Sequence, residues 1–461
     1  MTGREHEEST TRAPGPGALA SPYARLLKGL RSDSGRGRLT RAASWNVLGG
    51  GVSRLGTLLA SFWIARSLGR EGLGQLGVVL TTCTTLSVLA SFGLGTTATR
   101  FISMSRASDP HRAGRIAVLV TVVTVLLSTG VSVAVLIWST PLSSRLLGTA
   151  EFGPFLRLAV PILVLGALQE TIHGVLAGLE AFPSIAKSSA LTGITQALGM
   201  VAGAHWGHIA GCICGAVSGS LVGVVGSLIL LRSEIRRHGT GADTRGCLQE
   251  WGPIWRFALP AVLVGGIVML AHWVGTVLLV RSPNGADQMG LFTAANQWRN
   301  AILYVPNLIA SAGLPVLTQL WVGRGGTAYV QAVRFKFLIG LLSSASIAVP
   351  LVLLSGVIFR GYGSEFTGGP AVLALLAGSA VLASSANMLG QAIVGEGRMW
   401  TGMAVNLVWA SALVALAHRW IPSAGALGLA LANLASFTLY LAMLGGLFLI
   451  GQRRGTSRQD P

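Results

Sequence analysis

Long apolar runs alternate with short polar loops from position 45 to position 449, and most of these runs hold about 20 residues. An α-helix needs about 20 apolar residues to cross the ~30 Å hydrocarbon core of a membrane. The pattern therefore predicts an all-α, polytopic membrane protein with twelve transmembrane helices and no inserted soluble domain. The predicted spans cover roughly 45–65, 75–98, 116–138, 155–179, 187–205, 208–231, 254–280, 289–318, 335–358, 370–394, 400–417 and 425–449.

Composition and charge argue against a soluble protein and against a nucleic-acid-binding protein. The 461 residues are 51% hydrophobic and 11% charged, whereas a soluble protein carries roughly 25% charged residues. The net charge is +18, but the basic residues fall in short loops rather than in one patch, which argues against a nucleic-acid partner. With a cytoplasmic N-terminus, 24 basic residues lie on the cytoplasmic side and 6 on the outer side. This asymmetry predicts a plasma (inner) membrane protein with both termini in the cytoplasm.

The loops divide the chain into two halves. A basic, glycine-containing loop at 232–253 suits a cytoplasmic linker between an N-lobe at 45–231 and a C-lobe at 254–450, each with six predicted spans. Residues 1–44 are rich in Gly, Ser, Pro and Arg, which predicts a disordered cytoplasmic tail, and 451–461 form a second tail. The eight basic residues of the first tail suit contact with anionic lipids, or they only fix the orientation.

The two halves share a short repeat. Residues 66–77 read RSLGREGLGQLG and residues 281–290 read RSPNGADQMG, and each segment follows a long apolar run. Arg66 and Arg281 are 215 positions apart, and Gly74 and Gly290 are 216 apart. Because six spans per half is an even number, both halves insert with the same orientation. This predicts two parallel-repeat lobes around a central cavity.

The first span carries a polar face with a full positive charge near its middle. Asn46, Gly50, Arg54, Thr57 and Ser61 follow one another at spacings of three or four residues, which places them on one side of a helix. An arginine at the centre of a span costs roughly 2.5–3.5 kcal/mol on insertion scales. A cavity with an anionic ligand would offset this cost, and so would tight packing with a local partner for Arg54. The first two predicted spans hold no acidic residue, which favours the cavity.

The eighth span carries a second polar stripe. Asn296, Asn300 and Tyr304 lie along it, and Arg299 lies about half a helix from the outer end. We expect Arg54 and Arg299 to face one cavity from opposite lobes, although Arg299 could instead snorkel to the outer interface. The predicted substrate-binding residues are Arg54, Arg299, Asn46, Thr57, Asn296 and Asn300.

Three titratable residues inside predicted spans are candidates for coupling transport to an ion. Glu170 and His173 lie one turn apart on the fourth span, and His272 lies on the seventh. An acidic residue within a span is expensive and points to function. Glu170 either relays protons with His173 as a titrating neighbour or neutralises an arginine. His272 either lines the cavity or is packed among apolar side chains.

Motifs for catalysis or metal binding are not found. The sequence holds no Walker loop, no H-E-x-x-H and no nucleophile elbow. Cys212 and Cys214 form a C-x-C pair within an apolar run, which is a poor spacing for a metal. We therefore expect a protein without enzymatic activity, cofactor or metal. Its transport would be driven by a gradient, by substrate supply or by a partner.

A series of short segments carries a family resemblance. They are IARSLGREGLGQLG (64–77), SFGLGTTATRFIS (91–103), LAGLEAF (176–182), WRFALPAVL (255–263), MGLFTAANQ (289–297), LPVLTQL (314–320), GYGSEFTGG (361–369) and IPSAGALGLALAN (421–433). In this order and spacing they resemble the multidrug/oligosaccharidyl-lipid/polysaccharide exporter superfamily. The chain is most similar to its polysaccharide branch, the O-antigen and teichoic-acid type flippases of lipid-linked oligosaccharides. The resemblance spans about 45–450.

The resemblance implies a twelve-helix, two-lobed protein with a central cationic cavity. Such a protein would flip undecaprenyl-pyrophosphate-linked sugars by alternating access during polysaccharide biosynthesis, with polysaccharide polymerases or glycosyltransferases as further partners. Arg54 and Arg299 fit the cationic lining, although no motif fixes them as ligands. Peptidoglycan-precursor flippases typically have fourteen helices, two more than predicted here. Drug exporters usually carry an acidic cation site in the first helix, where this chain has Arg54.

Three functions follow, in decreasing order of support. The first is a flippase that moves a lipid-linked oligosaccharide from the cytoplasmic to the outer leaflet. The second is a proton-coupled exporter of small molecules that uses Glu170 and His173. The third is a scaffold for a polysaccharide synthase, without transport of its own.

Overall fold

The computed structural model describes residues 35–106, 108–148, 151–237, 247–322, 326–396 and 398–456. All regular structure in these ranges is helical. We number the α-helices in chain order as α1 (Gly35–Ala90), α2 (Leu94–Ser105), α3 (Pro110–Leu142), α4 (Phe152–Gly178), α5 (Phe182–Arg237), α6 (Trp251–Val280), α7 (Gly285–Val322), α8 (Gly326–Leu353), α9 (Ser355–Tyr362), α10 (Gly369–Gly395) and α11 (Met399–Thr456). A π-helical turn at Ser143–Leu147 follows α3, and a 3-10 turn at Cys247–Glu250 precedes α6.

Three of these helices are far longer than one membrane crossing. Helices α1 and α5 hold 56 residues each and α11 holds 58. At 1.5 Å per residue they measure about 85 Å, against a hydrocarbon core of ~30 Å. Each contains a break in its helical backbone, at Gly69 in α1, at Gly207 and His208 in α5, and at Gly425 in α11. Each break lies at the junction of two predicted spans and divides its helix into two segments.

Glycine makes two of these breaks possible. Gly69 has a φ of 71° and Gly425 a φ of 53°. Glycine adopts this left-handed region readily, because it has no Cβ to clash with the backbone. The chain can therefore reverse within one or two residues and still pair nearly all of its backbone groups.

Helix length and composition confirm a polytopic membrane protein. Within the described residues, seven helical segments are long and apolar enough to cross a membrane, and three of them contain the breaks in α1, α5 and α11. The observed fold class is the predicted one, an all-α bundle. The number of crossings, twelve, stays a prediction.

The helices pack as two lobes. Helices α1 to α5, the N-lobe, pack with α1 along α5 and with α4 against α2, α3 and α5. Helices α6 to α11, the C-lobe, pack with α10 against α7, α8 and α11. The main contact between the lobes joins α1 to α7, and α6 also packs along α1. A single apolar core continues across this contact, from Ile64 and Leu76 of α1 to Phe292 and Ala295 of α7.

The predicted tails and linker lie partly outside the described residues. Residues 1–34, 238–246 and 457–461 are not described. Helix α1 already begins at Gly35, so residues 35–44 of the predicted disordered tail are helical. A helix can extend beyond its apolar run because its backbone groups remain paired. The lobe boundaries themselves stay predictions.

The repeated turns of the two halves meet in a reciprocal contact. Gly74 lies against the carbonyl group of Ala286, and Gly290 lies against the carbonyl group of Arg70, with no room for a Cβ at either glycine. The spacing of 216 residues between Gly74 and Gly290 also relates Arg70 to Ala286. The two contacts are therefore the same contact made twice, as expected where a twofold axis relates two like elements.

A candidate binding cavity between the lobes

One face of the first half of α1 is turned towards the C-lobe. Gly50 lies against the ring and hydroxyl of Tyr304 on α7. Eleven residues later, three helical turns on, the hydroxyls of Ser61 and Tyr362 are 2.8 Å apart and hydrogen-bonded. Arg54 and Thr57 lie between these two contacts on the same helical face. Both side chains therefore belong to the interface between the lobes.

Arg54 is exposed on this face, and no carboxylate of the described residues lies within salt-bridge distance of it. Tyr304 of the opposite lobe lies against Gly50, about one helical turn before Arg54. Leu55 and Leu59, which are 61% and 66% exposed, point to the other side of the helix, towards lipid. The backbone of Asn46 belongs to α1, and its side chain lies outside the described residues.

The lobes are joined at the repeated turn in the middle of α1, around Gly69. We call this side of the molecule the closed end. Arg70 forms an ion pair of 3.0 Å with Asp287, and its guanidinium also donates to the carbonyl oxygens of Asp287 and Glu365. Arg66 donates from Nε to the carbonyl oxygen of Gly361 at 2.9 Å. Charge-assisted hydrogen bonds of this kind are roughly twice as strong as neutral ones. They hold the N-lobe against α7 and the α9–α10 segment.

An aromatic cluster lies next to the contacts formed by Arg66 and Arg70. The ring centroids of Phe62 and Tyr362 are 4.4 Å apart, and Trp298 lies edge-on to Phe62 at 6.1 Å. The indole of Trp298 donates to the Tyr362 hydroxyl at 3.2 Å. Tyr362 is 1% exposed, at the end of the short helix α9. Helix α9 begins in the last residues of the predicted span 335–358 and ends in the loop after it. Hydropathy therefore does not indicate that Tyr362 lies at this interface.

A cavity lies between the lobes directly beneath this cluster. It is small, with a volume of about 60 Å³, and α1, α5 and α7 line it. Thr57, predicted as a binding residue, lines the cavity together with Ser61. Gln196, Thr293 and Gln297 also line it and were not among the predicted binding residues. The spacing of four residues between Thr293 and Gln297 could have indicated them, because it continues the polar face of α7 by another turn.

Asn296 and Asn300 lie on the α7 surface near the N-lobe. Both side chains are half-buried, and neither donates or accepts a hydrogen bond among the described residues. At about 100° per residue, Asn300 shares a helical face with Thr293 and Tyr304, and Asn296 lies at the edge of that face. The two amides are therefore within the part of α7 that faces α1, where a ligand between the lobes can reach them.

Arg299 lies elsewhere, in the interior of the C-lobe. It is 7% exposed, donates from Nε to the Ser379 hydroxyl at 3.2 Å, and lies 5.5 Å from the ring centroid of Phe437. Arg299 is turned by about 120° from the middle of the face formed by Asn300 and Tyr304. The sequence had led us to expect that Arg299 and Arg54 face one cavity. In this conformation they do not.

His272 lies beside Arg299 within the same lobe. Its ring centroid is 5.3 Å from that of Trp409, which is 2% exposed. Within the C-lobe, Trp409 also contacts Phe437, and their ring centroids are 5.1 Å apart. His272 is thus packed among aromatic side chains rather than lining the cavity beside Arg54.

Glu170 and His173 lie inside the N-lobe and have separate partners. Nε2 of His173 is 2.8 Å from the hydroxyl of Ser188 and 2.9 Å from Nε2 of Gln169. Glu170 instead lies near Ser91, whose hydroxyl donates to the carbonyl oxygen of Val88 at 2.8 Å. None of the ion pairs among the described residues includes Glu170. No arginine among the described residues is therefore neutralised by Glu170, as the alternative interpretation requires.

Comparison with known proteins places this architecture in a family. Residues 39–321 match the family model described as "Polysaccharide biosynthesis protein". The chain is 26% identical over 385 residues to the EPS I polysaccharide export inner membrane protein EpsE of Ralstonia nicotianae, covering 81% of this chain and 86% of EpsE. It is 23% identical over 430 residues to the lipid III flippase of Escherichia coli K12, covering 90% of this chain and 99% of the flippase.

Solved structures show the same fold. An inward-facing multidrug resistance transporter of the MATE family, in the MOP superfamily, superposes with a TM-score of 0.71 at 16% identity, over 89% of this chain and 96% of that one. An outward-facing MATE transporter gives 0.64 at 18% identity, over 94% and 98%. The family model covers more than half of the sequence. This chain therefore belongs to the polysaccharide biosynthesis protein family of membrane transporters.

Proposed function

We propose that the protein is a flippase for a lipid-linked oligosaccharide. It moves a polyprenyl-pyrophosphate-linked sugar, of the undecaprenyl type, from the cytoplasmic to the outer leaflet during the synthesis of a surface polysaccharide. The names of two relatives, a polysaccharide export protein and a lipid III flippase, support this assignment. It is a transport function, without chemical change to the substrate.

The observation that carries the proposal is the exposed guanidinium of Arg54 at the contact between the lobes. It lacks an acidic partner among the described residues and stands opposite Tyr304 of α7. A diphosphate offers the bidentate acceptors that match a guanidinium. Leu55 and Leu59 on the neighbouring, exposed side of α1 suit contact with the polyprenyl chain, which stays in the bilayer.

Alternating access supplies the movement. The distribution of basic residues assigns the closed end to the outside and both termini to the cytoplasm. The substrate enters from the cytoplasmic side while Arg70 and Asp287 hold the closed end together. Separation of this ion pair and rocking of the lobes about the 232–253 linker then release the sugar outside. Arg54 makes the direct contact, and contact with Arg299 requires a rearrangement of the C-lobe.

The proposal extends to two kinds of partner. The basic residues of the N-terminal tail suit anionic membrane lipids, although most of that tail lies outside the described residues. A polysaccharide polymerase or glycosyltransferase would supply or consume the lipid-linked sugar. Neither partner is needed for flipping itself, which distinguishes this function from that of a synthase scaffold.

A proton-coupled exporter is the second candidate, and one observation favours it. Glu170 is half-buried near Ser91 and forms no ion pair with an arginine among the described residues. A carboxyl group in such a position can exchange protons. The same group could also couple the flippase to a proton gradient, so it does not by itself decide the substrate.

Flipping by purified protein in liposomes tests the proposal. A polyprenyl-diphosphate sugar is placed in the inner leaflet, and its arrival outside is measured with a membrane-impermeant glycosidase. The unmodified protein should flip it, and Arg54→Ala should lower the rate at least about 100-fold by removing charge-assisted bonds.

Arg157→Gln is the matched control, because Arg157 donates to Ser139 and Thr140 within the N-lobe, both at 2.7 Å. This variant should flip at the unmodified rate. Unaltered flipping by Arg54→Ala, with the variant present in the liposomes at equal amounts, would remove Arg54 from the mechanism. Failure of the unmodified protein to flip would overturn the function.

A further inference from the structure

The two arms of helix α5 lie side by side and bring the two ends of this helix together. The break at Gly207 turns the second arm back along the first. Gly223 of the second arm lies against Thr192 of the first, and the Ser184 hydroxyl near the start of α5 donates to Glu234 near its end at 2.8 Å. In the proposed orientation, these joined ends lie at the cytoplasmic surface of the membrane.

The first arm carries an exposed stripe that begins with a basic residue. Its members follow one another at spacings of four, three and four residues and are Lys187, Leu191, Ile194 and Leu198. Such spacings place them on one face of a helix, and all four side chains are exposed. The stripe therefore offers an ammonium group at the cytoplasmic end and an apolar surface towards the middle of the membrane.

The second arm repeats this arrangement in the opposite chain direction. From the cytoplasmic end inwards, its exposed stripe consists of Arg236, Arg232, Ile229, Val225 and Leu221, at spacings of four, three, four and four residues. These spacings again define one helical face. Two guanidinium groups thus lie at the membrane surface, and the apolar part of the stripe extends beneath them.

The two stripes lie on the same side of the paired arms. Gly193 of the first arm lies against Ser53 of α1, and Ser227 of the second arm donates to Gln169 of α4 at 3.1 Å. Helices α1 and α4 therefore cover one side of the two arms. Both exposed stripes lie on the other side, which no described helix covers.

The basic side chains of the two stripes can reach one another's level. Ser188 is hydrogen-bonded to Ser227 across the two arms, so Lys187 lies about one helical turn, or roughly 6 Å, deeper in the membrane than Arg232. A lysine side chain extends along apolar surface to bring its ammonium group to the polar interface. One headgroup can therefore contact both arms.

These three basic groups lack acidic partners. None of the ion pairs among the described residues includes Lys187, Arg232 or Arg236. The nearby carboxylate of Glu234 accepts a hydrogen bond from Ser184 and lies 3.6 Å from Arg237. A phosphate group would supply the missing negative charge, and a guanidinium matches its oxygens with two parallel hydrogen bonds.

We propose that this uncovered side of α5 binds one anionic phospholipid of the cytoplasmic leaflet. The phosphate binds among Lys187, Arg232 and Arg236, and the two acyl chains lie along the two stripes. A zwitterionic phospholipid has the same phosphate, but it adds an ammonium group that the three basic side chains repel. This surface is separate from the contact between the lobes, and the inference does not depend on what the protein transports.

Binding of single lipids to the full-length protein in detergent, measured by native mass spectrometry, tests the inference. The probes are phosphatidylglycerol and phosphatidylethanolamine with the same two acyl chains. The unmodified protein should bind phosphatidylglycerol at least about tenfold more tightly, because basic residues at a membrane surface favour an anionic lipid. The triple variant Lys187→Gln, Arg232→Gln, Arg236→Gln should bind the two lipids within about twofold of each other.

The matched control replaces Arg145, Arg360 and Arg419 by glutamine. These arginines are exposed on the predicted outer side, and no ion pair among the described residues includes them. The control removes the same charge from the opposite end of the protein and should keep the tenfold preference. Thermal unfolding without added lipid establishes that each variant is folded, and Arg232→Gln alone should lose part of the preference.

Three outcomes would overturn the inference. The first is equal binding of the two lipids by the unmodified protein. The second is a preference that survives the triple variant, since the anionic lipid would then bind elsewhere, such as on the basic N-terminal tail. The third is an equal loss of preference in the control, because net charge rather than this surface would then attract the lipid.

Discussion

Arg54 and Arg299 are both arginines in spanning helices, and the protein places them in opposite surroundings. Arg54 is exposed at the contact between the lobes and has no acidic partner among the described residues. Arg299 is 7% exposed, donates to Ser379 and lies over the ring of Phe437. A positive charge without a carboxylate can thus be accommodated by an external ligand or by a π face and a hydroxyl. Only the first arrangement leaves the guanidinium available to a substrate.

The largest effect should come from Arg54→Met, which keeps a flexible, unbranched stem and removes the charged guanidinium. We expect flipping in liposomes to fall at least about 100-fold, because two charge-assisted bonds of about 1.5–3 kcal/mol each are lost. The midpoint of thermal unfolding should not fall, since the charge stabilises no described contact. A lower midpoint that accounts for the lost transport would assign Arg54 a structural role instead.

Arg54→Lys should have an intermediate effect and shows what the guanidinium adds to the charge. An ammonium group binds phosphate as a point charge and does not form the planar, bidentate pair. We therefore expect binding of a polyprenyl diphosphate to weaken about tenfold, or about 1.4 kcal/mol, as measured by native mass spectrometry. If lysine binds the lipid as tightly as arginine, charge alone attracts the substrate.

A double-mutant cycle between Arg299 and Phe437 should give a smaller effect, confined to stability. The four proteins are the unmodified chain, Arg299→Met, Phe437→Leu and the double variant. A desolvated cation–π pair is worth about 1–2 kcal/mol, so the coupling energy in the free energy of unfolding should lie in that range. Phe437 also lies 5.1 Å from Trp409, and the cycle removes this second contact from the comparison. Additive single effects would show that the ring does not stabilise the charge.

Much of the architecture follows from the sequence, because membrane helices are constrained by length. Runs of about 20 apolar residues predict the crossings, and the repeat around Arg66 and Arg281 predicts parallel lobes. The reciprocal contacts at Gly74 and Gly290 agree with that repeat. The break at Gly69 leaves almost no loop between two helical segments of α1. Hydropathy does not report this detail.

The site was only partly predictable. Residue spacing shows which side chains share one face of a helix, but it does not show which helix packs against that face. The polar face of α1 is continuous from Gly50 to Ser61, so the spacing alone predicts that Arg54 and Thr57 share this face. On α7, a helical wheel separates Arg299 from Tyr304, but nothing in the sequence indicates which side faces the other lobe. Tyr362 could not have been found, since its position depends on the packing of α9 against Ser61 and Trp298.

The smallest effect on transport should come from Arg299→Met. This variant tests whether Arg54 and Arg299 differ in their access to the substrate. Met fills a similar volume among Phe437, His272 and Ser379. Replacing a buried charge by an apolar side chain is often neutral or stabilising, because the cost of desolvation disappears. We expect flipping within about threefold of the unmodified rate, or about 0.7 kcal/mol, and an equal or higher unfolding midpoint. A loss as large as that of Arg54→Met in a stable protein would mean that Arg299 reaches the substrate in another conformation. Both arginines would then line one cavity during part of the transport cycle, as the sequence predicts.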